Sequence, residues 1–176
     1  MTTNLEVQWV VGFVDGEGCF NIDIHEKTDT DMRWGIQLQP EFTIVQHERD
    51  VQILHALKEL FGCGSIGVNR KDSSSIRMHY RCKSIKDLYE KVIPFFEKHR
   101  LKTKKGIEFD KFRDIVRVMY TGYHNQSLKQ FLEIVEKSEQ LRFRDSTKLV
   151  KANPKRTKLN AILADLRQRS AADPSL

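Results

Sequence analysis

Asp15 and Glu17, separated by one glycine in the stretch VVGFVDGEG (Val10 to Gly18), are the residues of this chain best suited to chemistry. They close an apolar run, so a helix there would deliver an acid from its last turn beside the Gly16 carbonyl. Oxygen ligands of this kind suit Mg2+ (or Mn2+), which keeps several waters and takes phosphate oxygens as further ligands. A metal so held lowers the pKa of a bound water and stabilises charge in an in-line phosphoryl displacement. The same spacing also fits two plain turn residues after a buried helix, and both readings stay open at this level.

Other polar residues recur at strand spacing. Asn21, Asp23, His25, Arg33, Gln37, Gln39, Glu41, Arg77, His79 and Arg81 fall on the outward side of alternating segments, where long and amide side chains can read base edges in a DNA major groove. An ordinary solvated sheet face looks the same residue by residue, and only the joint excess of Gln, Asn, Arg and His favours the groove. Gln46, ending the second such segment, is either a water-positioning amide or a strand terminus. RLKTKK (Arg100 to Lys105) is a phosphate-touching loop or a solvated charge run. Cys19, Cys63 and Cys82 are odd in number and lack metal-ligand spacing, which argues against a disulfide framework and a zinc site.

These residues need elements to hold them. Thr3 and Glu6 stand at capping-box spacing around Leu5, ahead of Val7, Val10, Val11 and Val14, predicting a helix to about Asp15 that Gly16 and Gly18 end. From Cys19 the period becomes two: Phe20, Ile22 and Ile24 face one way, Cys19, Asn21, Asp23 and His25 the other. Turn residues Lys27 to Asp31 lead to a second strand with Trp34, Ile36, Leu38 and Phe42 inward and Arg33, Gln37, Gln39, Glu41 and Thr43 outward. Val51, Leu54, Leu57, Leu60 and Phe61 recur at helical spacing up to Gly62 and Gly64. A second hairpin pairs Ser65 to Arg70 with Ile76 to Cys82. Ser84 and Asp87 open a third helix through Leu88, Val92 and Phe96, which Pro94 bends or restarts. The fold class is α+β, in the order αββαββα. Beyond it, Ile107, Phe112, Ile115, Val116 and Met119 share one side of a helix, and further helices are expected around Leu128 to Val135 and Leu159 to Leu166. Residues 1–141 then form the core, and 142–176 a basic C-terminal segment whose terminal helix packs on or extends the same domain.

A chain of 176 residues with a net charge of +6 suits one domain and a polyanionic partner such as nucleic acid. No apolar run reaches the ~20 residues that span a bilayer, and the N-terminus lacks signal-peptide character. An intracellular protein without a targeting segment is expected.

With these features together, the chain resembles a single-motif LAGLIDADG homing endonuclease, VVGFVDGEG standing in the place of the family signature. The resemblance runs from the motif through RLKTKK. It is carried by the motif helix passing into a long hairpin, the glutamine in FTIVQHERD, the second hairpin and PFFEKHRLKTKK. It implies a sheet that forms a DNA-binding saddle and a metal-dependent enzyme that cuts both strands of a long, nearly palindromic site in intron homing. Glu17 and the Gly16 carbonyl would bind the metal, Asp15 would support the end of the motif helix, Lys102 would be the basic active-site group and Gln46 the water-positioning one. One unit per motif implies a homodimer packed at Val10, Gly12 and Phe13, where the missing side chain of Gly12 lets two backbones approach. The outward strand residues become DNA contacts by this resemblance, and Lys104, Lys105, Lys148 and Lys151 phosphate contacts. Departures are Glu17 where Asp is usual and Val10 and Val11 where Leu and Ala are, with Arg49 the basic residue following Gln46. Two other readings stand beside it: an RNA-binding intron maturase or DNA-binding regulator of the same fold, with intron RNA as a partner, and a monomeric basic α+β protein with a chance motif. The compartment implied is an organelle or a prokaryotic cytoplasm.

Overall fold

The computed structural model describes residues 4–27, 32–142 and 154–173. Helix α1 (Val7–Glu17) runs directly into β1 (Gly18–Glu26), and β2 (Ile36–His47) returns antiparallel beside it, in register from Gly18–Ile44 to Glu26–Ile36. A 3-10 turn at Glu48–Asp50 leads into α2 (Val51–Phe61). Strands β3 (Ser65–Lys71) and β4 (Ile76–Cys82) form the second hairpin, and β4 pairs with β2 to complete an antiparallel sheet of order β1-β2-β4-β3. Helix α3 (85–98) follows, then α4 (Lys105–Tyr120), α5 (Leu128–Arg142) and α6 (Pro154–Ala172). The αββαββα order expected from periodicity is the order observed, with α4 to α6 added.

Local chemistry accounts for the junctions. Helix α1 does not stop at Asp15: Gly16 is helical and the turn into β1 is made at Gly18, whose N–H donates to the Val14 carbonyl. A Cβ at Gly18 would lie 2.6 Å from Val14 Cγ1 and 2.7 Å from the Val14 oxygen, so only glycine permits this reversal. The residue before the helix is Glu6, with no capping side-chain bond; Thr3 lies outside the described residues. Helix α3 opens on Ser84, whose hydroxyl accepts the Asp87 N–H at 3.1 Å. Its middle, Leu88–Val92, widens into a π turn in which the Ile93 N–H reaches back to the Leu88 carbonyl. That turn stands directly ahead of Pro94, which has no N–H for the usual bond.

The sheet buries one face. Phe20, Ile22, Ile24, Ile36, Leu38, Phe42, Ile44 and Tyr80 pack against Leu88 and Phe96 of α3, Phe109 and Phe112 of α4, and Phe131 and Ile134 of α5. Phe20 stacks on Phe42 with centroids 4.9 Å apart and meets Phe96 and Phe109 at 5.7 and 5.3 Å. Truncating such a buried Phe typically costs about 3–5 kcal/mol, so this cluster is what keeps the first hairpin flat on the helices. Leu163 and Leu166 of α6 join the same core, while Lys158 pairs with Glu26 of β1 at 2.8 Å and Arg167 with Glu139 of α5 at 3.0 Å. Among the described residues no helix is long and apolar enough to cross a membrane.

Some expectations fail in detail. Strand β2 begins at Ile36, so Trp34 and Arg33 precede it. Arg33 leaves the sheet face: its guanidinium donates to the carbonyls of Asn125 and Gln126 at 3.1 and 3.2 Å and lies 4.8 Å over the Trp34 ring. Leu60 and Ile107, placed inward by spacing, are 40% and 62% exposed because each sits at the edge of its helix's apolar stripe.

Candidate active site and nucleic-acid interface

Helix α1 has two stripes of opposite fate. Val10, Val11 and Val14 are buried in the core. Trp9, Gly12, Phe13 and Gly16, at helical spacing on the other side, remain accessible to differing degrees, with Trp9 and Phe13 stacked at 4.7 Å and open space beside both glycines. Val10, expected in a helix–helix contact, is fully buried instead: one residue on from Trp9 turns the side chain through ~100°, into the core. The open stripe holds Trp9 and Gly16 beside Gly12 and Phe13.

Glu17 is the last residue of α1 and is exposed. Among the described residues its carboxylate has no hydrogen-bond or ion-pair partner. The last turn of α1 contains no basic residue, so two acids stand at the negative end of the helix dipole, an arrangement a helix alone disfavours and a cation corrects. The last carbonyls of the helix lack intrahelical partners and add oxygen donors. Among the described residues no group of three or more His, Cys, Asp or Glu forms a metal cage. Glu17 and the Gly16 carbonyl are the oxygen donors at this helix end that could hold a hard cation, which takes water and phosphate as further ligands.

Asp15 faces elsewhere. Its Oδ2 accepts the Lys102 N–H at 2.7 Å, and its Oδ1 accepts the Thr103 hydroxyl at 2.9 Å and the Thr103 N–H at 3.3 Å. It ties the last turn of α1 to the loop ahead of α4, while the Gly18 N–H closes the helix itself. Arg100 pins the other end of that loop by two 2.8 Å bonds to Asp110, whose carboxyl this guanidinium holds below the usual range against the opposing effect of burial. Lys102 and Lys104 stay exposed. Lys105 has entered the first turn of α4, where its side chain is mostly buried and its ammonium lies 3.6 Å from Glu108.

Gln46 lies in β2 two residues beyond Ile44, the partner of Gly18, which sets it level with the end of α1. It shares the phase of Phe42 and Ile44, on the helix side of the sheet, and is half-buried. Arg49 is exposed and 3.5 Å from Asp50.

The outer sheet face carries most of the remaining candidates, already bonded to one another. Asn21 donates to Asp23 at 3.1 Å, His25 and Gln37 meet at 2.9 Å, and Gln39 donates to the Lys83 carbonyl at 3.0 Å. Glu41 is on this face as expected but buried, 3.2 Å from Arg81 and 3.4 Å from Lys83, so it organises two cations. His79 is held below its ordinary pKa by burial and then by Arg81. Arg77 is exposed, opposite Arg70 where a bulge interrupts β3. Lys148 and Lys151 lie outside the described residues. Sequence reading missed Thr103 and Lys83: each is one polar residue among many, and its partner is 88 or 42 positions away.

The fold as a whole, a helix feeding a four-stranded antiparallel sheet with helices on one face, is shared with solved homing endonucleases. I-TnaI, a homing endonuclease of known crystal structure, superposes with a TM-score of 0.75 at 38% identity, over 94% of this chain and 100% of its own. I-LtrWI, a LAGLIDADG homing endonuclease bound to target DNA, superposes with a TM-score of 0.70 at 27% identity, over 84% of this chain but 46% of its own. "Probable intron-encoded endonuclease Cox1-I1b" of Schizosaccharomyces pombe is 32% identical over 106 residues, 60% of this chain and 26% of that protein, so this chain spans about a quarter of that relative. The LAGLIDADG endonuclease family profile matches residues 10–116, and the chain belongs to that family.

Proposed function

We propose that the chain is a site-specific, divalent-metal-dependent DNA endonuclease that acts as a homodimer on a long, nearly palindromic site, in intron homing. The observation that carries this reading is the exposed Glu17 carboxylate, without a partner among the described residues, at the negative end of α1, on the helix to which Asp15 ties a basic loop. Glu17 and the Gly16 carbonyl would hold Mg2+, which when bound supplies charge stabilisation at the scissile phosphate and a more acidic water. Lys102 offers a cation to the developing phosphoryl charge, and Gln46, level with the helix end, an amide that orients the attacking water. The outer sheet face would lie along the major groove, with Asn21, Asp23, His25, Gln37, Gln39 and Arg81 toward base edges and Arg77 toward phosphate.

One acid per chain cuts one strand, so double-strand cleavage requires two copies. The open stripe Trp9, Gly12, Phe13 and Gly16 is the face for the second copy, its two glycines allowing close backbone approach. Coverage of just under half of DNA-bound I-LtrWI supports the same stoichiometry.

The test is a supercoiled plasmid carrying the intron-insertion sequence, the two exon flanks joined without the intron that would encode the chain. Wild type is expected to linearise it with Mg2+ and not with EDTA, and to sediment as a dimer that Gly12→Leu converts to monomer. Wild type that leaves the plasmid intact, or Glu17→Gln that cuts as fast as wild type, would sink the proposal.

A further inference from the structure

We infer that Asp15 and Thr103 are positioning residues that set the Lys102 backbone against the end of α1, so that the metal-binding acid and the basic group of the site move as one piece; this rests on the cleavage reading above. Asp15 is two residues from Glu17, and α1 is helical through both, so the Asp15 carboxylate is rigidly related to the Glu17 backbone. All three bonds to that carboxylate come from two consecutive residues, Lys102 and Thr103. A carboxylate that accepts backbone N–H groups makes shorter and stronger bonds than a neutral acceptor, so this is a clamp on the loop backbone.

Thr103 extends the clamp into α4. While its hydroxyl donates to Asp15, the same oxygen accepts the Lys105 N–H at 3.2 Å, and its carbonyl accepts the Gly106 N–H at 3.0 Å. The first turn of α4 is thereby satisfied by a residue that is itself held by α1. A Cβ at Gly106 would come within 3.3 Å of the Leu101 carbonyl, so the loop also packs closely on that turn. Lys102 therefore stands between two fixed points, with its exposed side chain the free part. Reaction rates fall steeply when a reacting group is misplaced by an ångström, and such a clamp is the way to hold one.

The test uses the full chain on the plasmid above. Asp15→Asn keeps the size but turns an amide NH2 toward N–H donors; Thr103→Val removes one hydroxyl, and Thr103→Ser restores it. Asp15→Asn is expected to lower the single-turnover rate about 10- to 100-fold with the DNA Kd within about threefold. Thr103→Val is expected to lower it about threefold to tenfold and Thr103→Ser to recover it. The double variant Asp15→Asn, Lys102→Met should lose little more than Lys102→Met alone, because both act on one group. Amide hydrogen exchange at Lys102 and Thr103 should quicken in Asp15→Asn whether or not the DNA is cut. Losses that multiply, unchanged exchange, or recovery of Asp15→Asn by raised Mg2+, which marks a direct metal ligand, would each overturn the assignment. Wild type that does not cleave overturns the cleavage reading itself, and the exchange result then decides the clamp separately.

Discussion

The tip of α1 and the outer face of the sheet are both polar, yet they are built in opposite ways. On the sheet, Asn21 is bonded to Asp23, His25 to Gln37, Gln39 to the Lys83 carbonyl, and Glu41 is buried between Arg81 and Lys83. At the tip, Glu17 has no partner among the described residues and stands where the helix dipole makes its charge least comfortable. Prior bonding fixes the geometry of the sheet side chains, which under the proposed function would serve recognition. A solvent-exposed carboxylate without a protein partner among the described residues is open to a cation, which under the proposed function would serve catalysis. The stabilising core beneath is shared, so the two regions can be altered separately.

The comparison can be broken most sharply at the tip. Glu17→Gln is expected to reduce cleavage by about 10³-fold, since a charged ligand to the phosphoryl-stabilising group is lost, with DNA affinity within about threefold of wild type. Parallel cleavage and gel-shift titrations check it, and a matching loss of binding would merge the two regions. Next in size is Gln37→Ala on the sheet, which removes the partner of His25. It should cost about 1–3 kcal/mol of discrimination at one base pair, read from Kd against a set of singly substituted targets, and should leave the other positions alone.

Arg77→Ala sharpens the distinction within the sheet, between side chains held by neighbours and those left to solvent. It should weaken binding evenly across targets and reduce the slope of log K against log salt by about 0.9, one phosphate contact. The smallest effect concerns pH. Burial, and then the Arg81 charge, keep His79 below its ordinary 6.5, and burial does the same for His124 in the turn before α5. In the unfolded chain both take up protons near pH 6.5, in the folded chain only at lower pH, so stability is full above that value and declines as the pH falls below it. Thermal melts from pH 7.5 to 5 should show this decline, and His79→Gln should make it shallower. A melting temperature that rises on acidification would contradict the burial of both rings.

Much of this was legible without coordinates, and the rest was hidden for definite reasons. Alternation over Phe20 to Ile24 identified the inward face of β1, and Ser84 marked the start of α3. The inward strand spacing carried back to Trp34 overextended β2, since Gly35, with its left-handed backbone, breaks the chain direction just before Ile36. Val10 looked like a contact residue because it begins the motif, although helical phase turns it inward. Lys105 read as loop because a basic run carries no sign of where α4 starts.

What the sequence determined alone is whatever depends on near neighbours: the period of each element, a glycine-bounded end to the motif helix, the placement of an acid near that end and of polar side chains on one side of two hairpins. Tertiary structure decided which of these groups find partners. Asp15 meets Lys102 and Thr103 across 87 and 88 positions, Arg33 reaches carbonyls 92 and 93 positions on, and Gln39 reaches the Lys83 carbonyl across 44. A periodic pattern states that a side chain points out of its element, but the group it meets there depends on how sheet and helices pack. Only that packing separates the carboxylate that braces a loop from the one left open at the tip of the helix.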